Sequence, residues 1–563
     1  MPLHVLFWKT APIFINMMAG SWKTAEPSRT LGDLSTGESQ TVSGKLRDAA
    51  TRLSTFQSAL LLALLSLAIS ACLSCFVAWP VPRIMDEFSY LLSADTFSHG
   101  RLTNPTPDVW QYFQSPHTIL QPSYCSKYPP GPGLVLAVGE KLGTPLFGVW
   151  MEAAVTAIAV YYLLRARLSQ IWALTGGILV IFHPLQLLWS QSFWGGALQA
   201  AGGALLVGAA LRSYDRPSWK TGFILGIGTS VLALSRPFEG AVFSLLTGGV
   251  LALALLRKGV ASSLKAAPPL ALGSIPPLLV TAVFFALYNK ASTGSAFTFP
   301  YVIHERTYGG CPVFLWQKAW AFPSYPYDAW RLEASWERAS FNVQTTFRGF
   351  WRYLFGVKLL TTAYPWTWYW LFLLPVGVTF ATGWKRPEVK AAAALLVCFL
   401  VSEFQIIWWF PHYFAAAFGL VMLLAVTGLQ KLQEASSRLG MAITGIFVTL
   451  LIAVSLTFQV AGQRADASGY RWELERATLV DKLKQLPGKH LVIVSYAPDH
   501  SVHTEWVYNG ADIEGTRVLF AHALADNRPL LQHFRDRTVW WLQVKAESCS
   551  LIPLQAEGLA KQP

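Results

Sequence analysis

Asp86 and Glu87 stand side by side in "RIMDEFSY" (83–90), and Lys127 follows in "KYPPGPG" (127–133). A carboxylate can take the proton of a hydroxyl group, an effect worth roughly 10²–10⁴-fold in rate. A cation can stabilise a phosphate as it leaves. The prolines and glycines after Lys127 make a stiff turn and hold the ammonium group on a rigid support. A plainer reading of the acid pair is also open. Acids suit the positive end of a helix, and Phe88, Leu91, Leu92 and Phe97 give "MDEFSYLLSADTF" an apolar face, so the pair could simply begin a solvated loop helix.

What must position these groups is a membrane. The chain has 563 residues, 53% hydrophobic and 13% charged, with a mean hydropathy of +0.38. Soluble domains have about a quarter of their residues charged. Here the deficit is carried by windows of about twenty uncharged residues, the signature of bilayer-spanning helices. Eleven spans are expected, near 56–79, 145–164, 171–189, 195–211, 221–235, 239–256, 267–288, 364–382, 391–408, 413–429 and 441–460. Residues 131–142 are apolar but short and broken by Gly and Pro. We read them as a re-entrant or interfacial piece; a twelfth span is the alternative and would invert everything downstream.

Basic residues collect in cytoplasmic loops. With the N-terminus inside, the short inner loops hold thirteen Lys/Arg: Arg165 and Arg167; Arg212, Arg216 and Lys220; Arg257, Lys258 and Lys265; Lys385, Arg386 and Lys390; Lys431 and Arg438. The short outer loops hold one, Arg236. The net charge of +13 is therefore loop charge, and no nucleic-acid partner is needed to explain it. This places a tail (1–55) in the cytoplasm, with Met17 or Met18 as an alternative start. A transmembrane domain (56–462) follows, with outer loops 80–130 and 290–363, and then an outer domain (463–563). In that last part "HLVIVSY" (490–496), "TRVLFAHAL" (516–524) and "TVWWLQV" (538–544) read as buried strands, and "RWELERATLVDKLKQL" (471–486) as a helix with opposite charges at helical spacing. A small α/β domain is expected. "GGALQAAGGALLVGAA" (195–210) is a close-packing helix face and not a nucleotide loop.

One outer loop thus offers a carboxylate pair and a cation at the membrane–water boundary. Sugar transfer from a lipid phosphate needs such a set, because the donor's tail stays in the bilayer. The first span ending in "MDEFSY" and the outer loop closing with "SKYPPGPGL" resemble the GT-C superfamily of integral-membrane glycosyltransferases. Among its classes are the protein O-mannosyltransferases, the lipid A aminoarabinose transferase and the bacterial RgtA/B/C/D-like group. The resemblance covers roughly 56–430, and "EWVYNGADI" (505–513) also looks like the end domain of bacterial members. It implies a polytopic α-helical GT-C-like fold with about 11 transmembrane helices and a small C-terminal α/β extracytoplasmic domain. It implies a polyprenyl-phosphate sugar as donor and an envelope glycan, lipid or protein as acceptor. Asp86 would be the general base, Glu87 its support, and Lys127 the contact to donor phosphate. In some relatives the Lys directly precedes the prolines; here Tyr128 stands between. Inversion at the sugar follows from a single base and direct displacement. Some members use a divalent metal and others do not.

Secondary candidates each have a bland counterpart. Arg236 in "RPFE" is either a second phosphate contact or, more plainly, the partner of Glu239 or a snorkelling side chain. His304 and Glu305 could begin a metal site but lack a third ligand at useful spacing, so a solvated loop is the competing reading. Glu403 and His412 flank "FQIIWWFPH", whose Trp pair suits an interfacial belt; Glu403 could line the donor cavity. Cys125 and Cys311 both fall in outer loops, where disulfides persist. A bridge would pin the loops together, and two free thiols are the alternative. A transporter or flippase of lipid-linked sugars is the competing function, although such proteins show paired repeats and midplane charges, and no repeat is found here. A polymerase or ligase on a similar frame is a third. The expected location is the bacterial inner membrane, multi-pass, with the C-terminal domain outside the cytoplasm.

Overall fold

The computed structural model describes residues 52–325, 327–360, 372–435, 437–465, 470–498 and 500–554. Almost all of the 1–55 tail, and the start of the expected span at 364–382, lie outside the described residues.

In chain order the helices before the second outer loop are α1 (Thr55–Phe76), α2 (Met85–Ser98), α3 (Pro130–Lys141), α4 (Pro145–Leu164), α5 (Gln170–Ile181), α6 (Pro184–Trp189), α7 (Ala197–Asp215), α8 (Trp219–Ser235), α9 (Pro237–Arg257) and α10 (Val260–Thr293). Outer helices α11 (Pro300–Tyr308), α12 (Asp328–Gln344) and α13 (Phe347–Tyr353) follow. The chain then runs through α14 (Leu373–Gly383), α15 (Pro387–Glu403), a tight turn of helix at Pro411–Ala417, α16 (Phe418–Ala435) and α17 (Ser437–Ala465). Six stretches among the described residues are long and apolar enough to cross a membrane: α1, α4, α9, α10, Pro411–Ala435 and Leu439–Gln463; α5 and α14 are shorter apolar helices. Exposed Leu60, Leu64, Leu272, Leu279 and Leu450 face outward, as lipid-facing side chains do. The chain is a multi-pass membrane protein.

The expected span at 171–189 is corrected in one respect: it is two helices. Pro184 lacks an N–H and disfavours a helical residue before it, so the helix stops at Ile181 and restarts with His183 as its cap, Nδ1 accepting from the Leu185 N–H at 3.2 Å. The stretch 131–142 falls on the short helix α3, Pro130–Lys141. Twelve residues rise only about 18 Å, too little for a hydrocarbon core of about 30 Å. The small residues of 195–210 lie on α7, where Gly203 sits directly beneath the Ala416 carbonyl. Without a hydrophobic drive between helices in lipid, such close approach is what packs them.

Helix α10 keeps four prolines, Pro268, Pro269, Pro276 and Pro277, inside its 34 residues. Hydroxyls of Ser230 (3.2 Å) and Thr281 (2.9 Å) donate to the Pro277 carbonyl, so the proline-rich stretch is tied to α8 by a side-chain hydrogen bond. Its far end carries Tyr288, whose hydroxyl donates to the Tyr128 carbonyl at 3.2 Å. The Lys127–Tyr128 turn is thereby tied to a long helix.

The C-terminal part is the expected α/β domain. Helix α18 (Trp472–Gln485) precedes β3 (Lys489–Tyr496), β4 (Val518–His522), α19 (Arg528–His533), β5 (Arg537–Lys545) and β6 (Ser548–Pro553); β1 (Thr118–Ile119) and β2 (Cys125–Ser126) are two-residue strands of the first outer loop. The sheet order is β4-β3-β5-β6, parallel except for β6. This domain docks on α2. Phe88 stacks on Tyr508 with centroids 4.2 Å apart, the Ala511 N–H donates to Asp95 at 2.6 Å, and the Tyr124 hydroxyl donates to the Asn509 carbonyl at 2.9 Å. The segment "EWVYNGADI" is therefore the docking strap.

Candidate active site

Asp86 and Glu87 open α2, and a helix sends successive side chains about 100° apart. The two carboxylates therefore serve different places. Asp86 points into a cavity of about 360 Å³. Glu87 points the other way and is 3% exposed. Its oxygens accept from the Arg83 N–H (2.6 Å), the Ser192 hydroxyl (2.8 Å) and the Phe193 N–H (3.0 Å). Burial raises its carboxyl above the ordinary value, although these donors pull the other way. Glu87 thus ties the start of α2 to the 192–193 turn and does not line the cavity. Glu87→Ala is expected to cost about 3 kcal/mol, judged from hydrogen bonds to a carboxylate, and to lower the thermal midpoint; an unchanged midpoint would contradict this role.

The cavity is lined by Asp86, His117, Lys127, Tyr128, Arg236 and Glu239, and by His304, Glu305, Glu337 and His412, among others. Residues from the first outer loop, the α8–α9 junction, the second outer loop and the tight helix at 411–417 are so brought together. Val502 and His503 of the C-terminal domain complete a wall. One flank is apolar: Phe238, Val313, Phe314, Ile406, Trp408 and Phe410.

Asp86 accepts from the Tyr128 hydroxyl at 2.5 Å and lies 3.5 Å from His117 Nδ1. Burial alone would raise it. The charge and hydrogen bond of His117, the Tyr128 hydroxyl and the charge of Lys127 outweigh burial and hold it well below the usual carboxylate range. Lys127 pairs with Glu305 at 3.5 Å. Glu305 is held down to about 2: burial works against this, but Lys127 and His304 prevail. His304 donates from Nδ1 toward Glu305 (3.4 Å), while its Nε2 accepts the His117 N–H (3.2 Å). Burial and the Lys127 charge push it down to about 3, so its ring is neutral. Glu337 accepts the Gly310 N–H at 2.8 Å; burial and the charge of Glu305 push it up to about 8.

Arg236 reaches Glu239 Oε1 through Nε (2.8 Å) and Nη2 (2.7 Å), and stacks 3.8 Å over the Tyr413 ring. The pairing and the cavity-lining readings of Arg236 are thus both present. Glu403 is fully buried but is not among the lining residues; its Oε2 has no hydrogen-bond partner among the described residues. His412 lies against Trp194 at 4.5 Å between ring centroids.

Cys125 and Cys311 are free thiols. Cys125 is buried beside Ser123 in β2, whereas Cys311 packs with Phe341 and Ile407. The structure therefore has the alternative, two buried free thiols. No group of three His, Cys, Asp or Glu stands ready for a metal among the described residues. His304 does not fit the role, because both ring nitrogens are engaged.

His117, Glu337 and Tyr301 are site residues that no sequence motif marks. His117 had one signal, its place in a polar outer loop between Asp86 and Lys127, which every other polar residue of that stretch shares.

No protein-family model and no curated protein sequence matches the chain. Solved structures do. ArnT from Cupriavidus metallidurans in its apo state is 14% identical, with a TM-score of 0.50, covering 86% of this chain and 92% of that one. The same protein bound to undecaprenyl phosphate gives 13% identity and a TM-score of 0.46, over 87% and 92% of the two chains. The Archaeoglobus fulgidus oligosaccharyltransferase, in complex with Zn and sulfate, gives 14% identity and a TM-score of 0.47 over 77% of this chain. This chain spans only 60% of the length of that protein. At such identities the likeness concerns fold alone: the chain shares the overall fold of apo ArnT.

Proposed function

We propose that this GT-C-fold chain is an inverting glycosyltransferase of the bacterial inner membrane, with its N-terminus cytoplasmic and residues 463–563 outside. It moves one sugar from a polyprenyl phosphate to an extracytoplasmic alcohol on a glycan, lipid or protein. The observation that carries the reading is the gathering of Asp86, Lys127 and Arg236 around one cavity. Its volume lies in the range of about 300–1,000 Å³ common for small-ligand sites. The reaction needs little more. The anomeric C–O bond to phosphate breaks, its electron pair leaves with the phosphate, and the acceptor oxygen bonds to the anomeric carbon from the opposite face. Lys127 and Arg236 stabilise the departing phosphate; each is held in place by a carboxylate, Glu305 and Glu239. Asp86 supplies the general-base charge for the acceptor's hydroxyl. The apolar flank at Phe238, Phe314, Ile406 and Trp408 suits the isoprenoid near its phosphate.

The test is transfer itself. Purified protein in liposomes is given a labelled polyprenyl-phosphate sugar and envelope extract. Label is expected to move to an acceptor in the extract. Labelled lipid crossing the bilayer with no label transferred would replace this reading with a flippase.

A further inference from the structure

His117 has a backbone φ of +62°, a region that L-residues with a full side chain rarely adopt unless their surroundings hold them there. Here they do. Its N–H donates to His304 Nε2, and its carbonyl accepts from the Ser89 hydroxyl (2.6 Å) and the Lys127 N–H (3.2 Å). Three segments thus aim one imidazole at Asp86. The Tyr128 hydroxyl hydrogen is used on Asp86, so the hydrogen in the 2.9 Å contact between Tyr128 and His117 Nδ1 must sit on Nδ1. That network assigns the neutral ring as the Nδ1–H tautomer, with the lone pair on Nε2. Nε2 makes no hydrogen bond among the described residues, and the ring, its side chain 19% exposed, lines the cavity.

We propose that the acceptor's proton goes to Nε2 of His117, and that Asp86 exerts its base function through this ring. The inference rests on the glycosyl-transfer reading and deepens it. As the acceptor oxygen bonds to the anomeric carbon, its O–H bond breaks and the proton passes to Nε2. The anomeric C–O electron pair leaves with the phosphate. Asp86 stays ionised and stabilises the imidazolium, as the carboxylate does in a Ser-His-Asp triad. The basicities favour this order. A carboxylate held far below its usual range is a weaker base than an imidazole, even one lowered by burial and by Lys127, as His117 is. The groups facing the ring are Asp86 from α2, Lys127 and Tyr128 from the turn, and His304 and Glu305 from α11.

His117→Gly is the informative variant. Glycine adopts φ +62° freely, so the fold is spared, and the missing ring leaves room for free imidazole. The expected kcat falls roughly 10²–10⁴-fold, donor KM changes little, and added imidazole restores part of kcat. His117→Asn, which also tolerates this backbone region, is expected to lose a similar factor without rescue. The base must be neutral to act, so wild-type kcat/KM is expected to fall as pH drops below a value under the ordinary 6.5, and His117→Gly to lose that limb. Activity of His117→Gly within about threefold of wild type overturns the proposal, because a general base contributes more. So does a loss that imidazole does not relieve with the acid limb unmoved. Asp86→Asn is measured beside it. If that variant is inactive while His117→Gly is active, only the role of His117 fails. If Asp86→Asn is fully active, the underlying reading fails.

Discussion

Asp86→Asn is expected to lower transfer by roughly 10²–10⁴-fold while the protein still folds and inserts, because on the proposed mechanism the substitution removes the general-base charge and almost no volume. The amide keeps an oxygen that can accept the Tyr128 hydroxyl, so the 2.5 Å contact that anchors the turn has a substitute. What is lost is the negative charge beside His117. Thermal midpoint and elution volume in detergent are expected to match wild type, which separates chemistry from misfolding. Transfer at the wild-type rate would remove Asp86 from the reaction.

Lys127→Met is expected to weaken the donor's hold. A charge-assisted hydrogen bond is worth about 1.5–3 kcal/mol, which corresponds to roughly 10–150-fold in kcat/KM for the donor. A second effect follows from Glu305. Because that carboxyl is held down to about 2, against an ordinary 4.5, its contribution to stability is in place above about pH 4.5 and is lost as pH falls toward 2. Without Lys127 the largest of the lowering causes disappears, and a buried charge is left poorly compensated across the neutral range. The single variant is therefore expected to lose thermal stability as well as activity. The double variant Lys127→Met/Glu305→Gln is expected to regain the stability and not the activity. Recovery of both in the double variant would show that Lys127 acts only as a counter-ion. Donor titrations with each variant, followed by thermal midpoints, check the pair of expectations.

The residues legible in the sequence were those whose cost announces them. A carboxylate or guanidinium at the edge of an apolar run is expensive in lipid unless it faces water or a cavity, and Asp86, Lys127 and Arg236 all line the cavity. Strands at 490–496 and 538–544 were legible for a similar reason, since their buried runs are short and bounded. His117 was not, because its role depends on a positive φ imposed by His304 and Ser89 from distant parts of the chain. Glu337 enters the cavity only through the folding of the long loop 290–363. Glu87 looks identical to Asp86 in sequence, and one residue of helical rotation sends it to the 192–193 turn instead. The docking of the C-terminal domain turns on a ring stack between Phe88 and Tyr508, a pairing that no local pattern specifies.

A structure of the protein with undecaprenyl phosphate bound tests the account most directly. The phosphate is expected within hydrogen-bond distance of both Lys127 Nζ and the Arg236 guanidinium, with Asp86 and His117 lining the space beside it and the isoprenoid along Phe238, Phe314 and Trp408. A phosphate seated outside this cavity, touching neither cation, would contradict it.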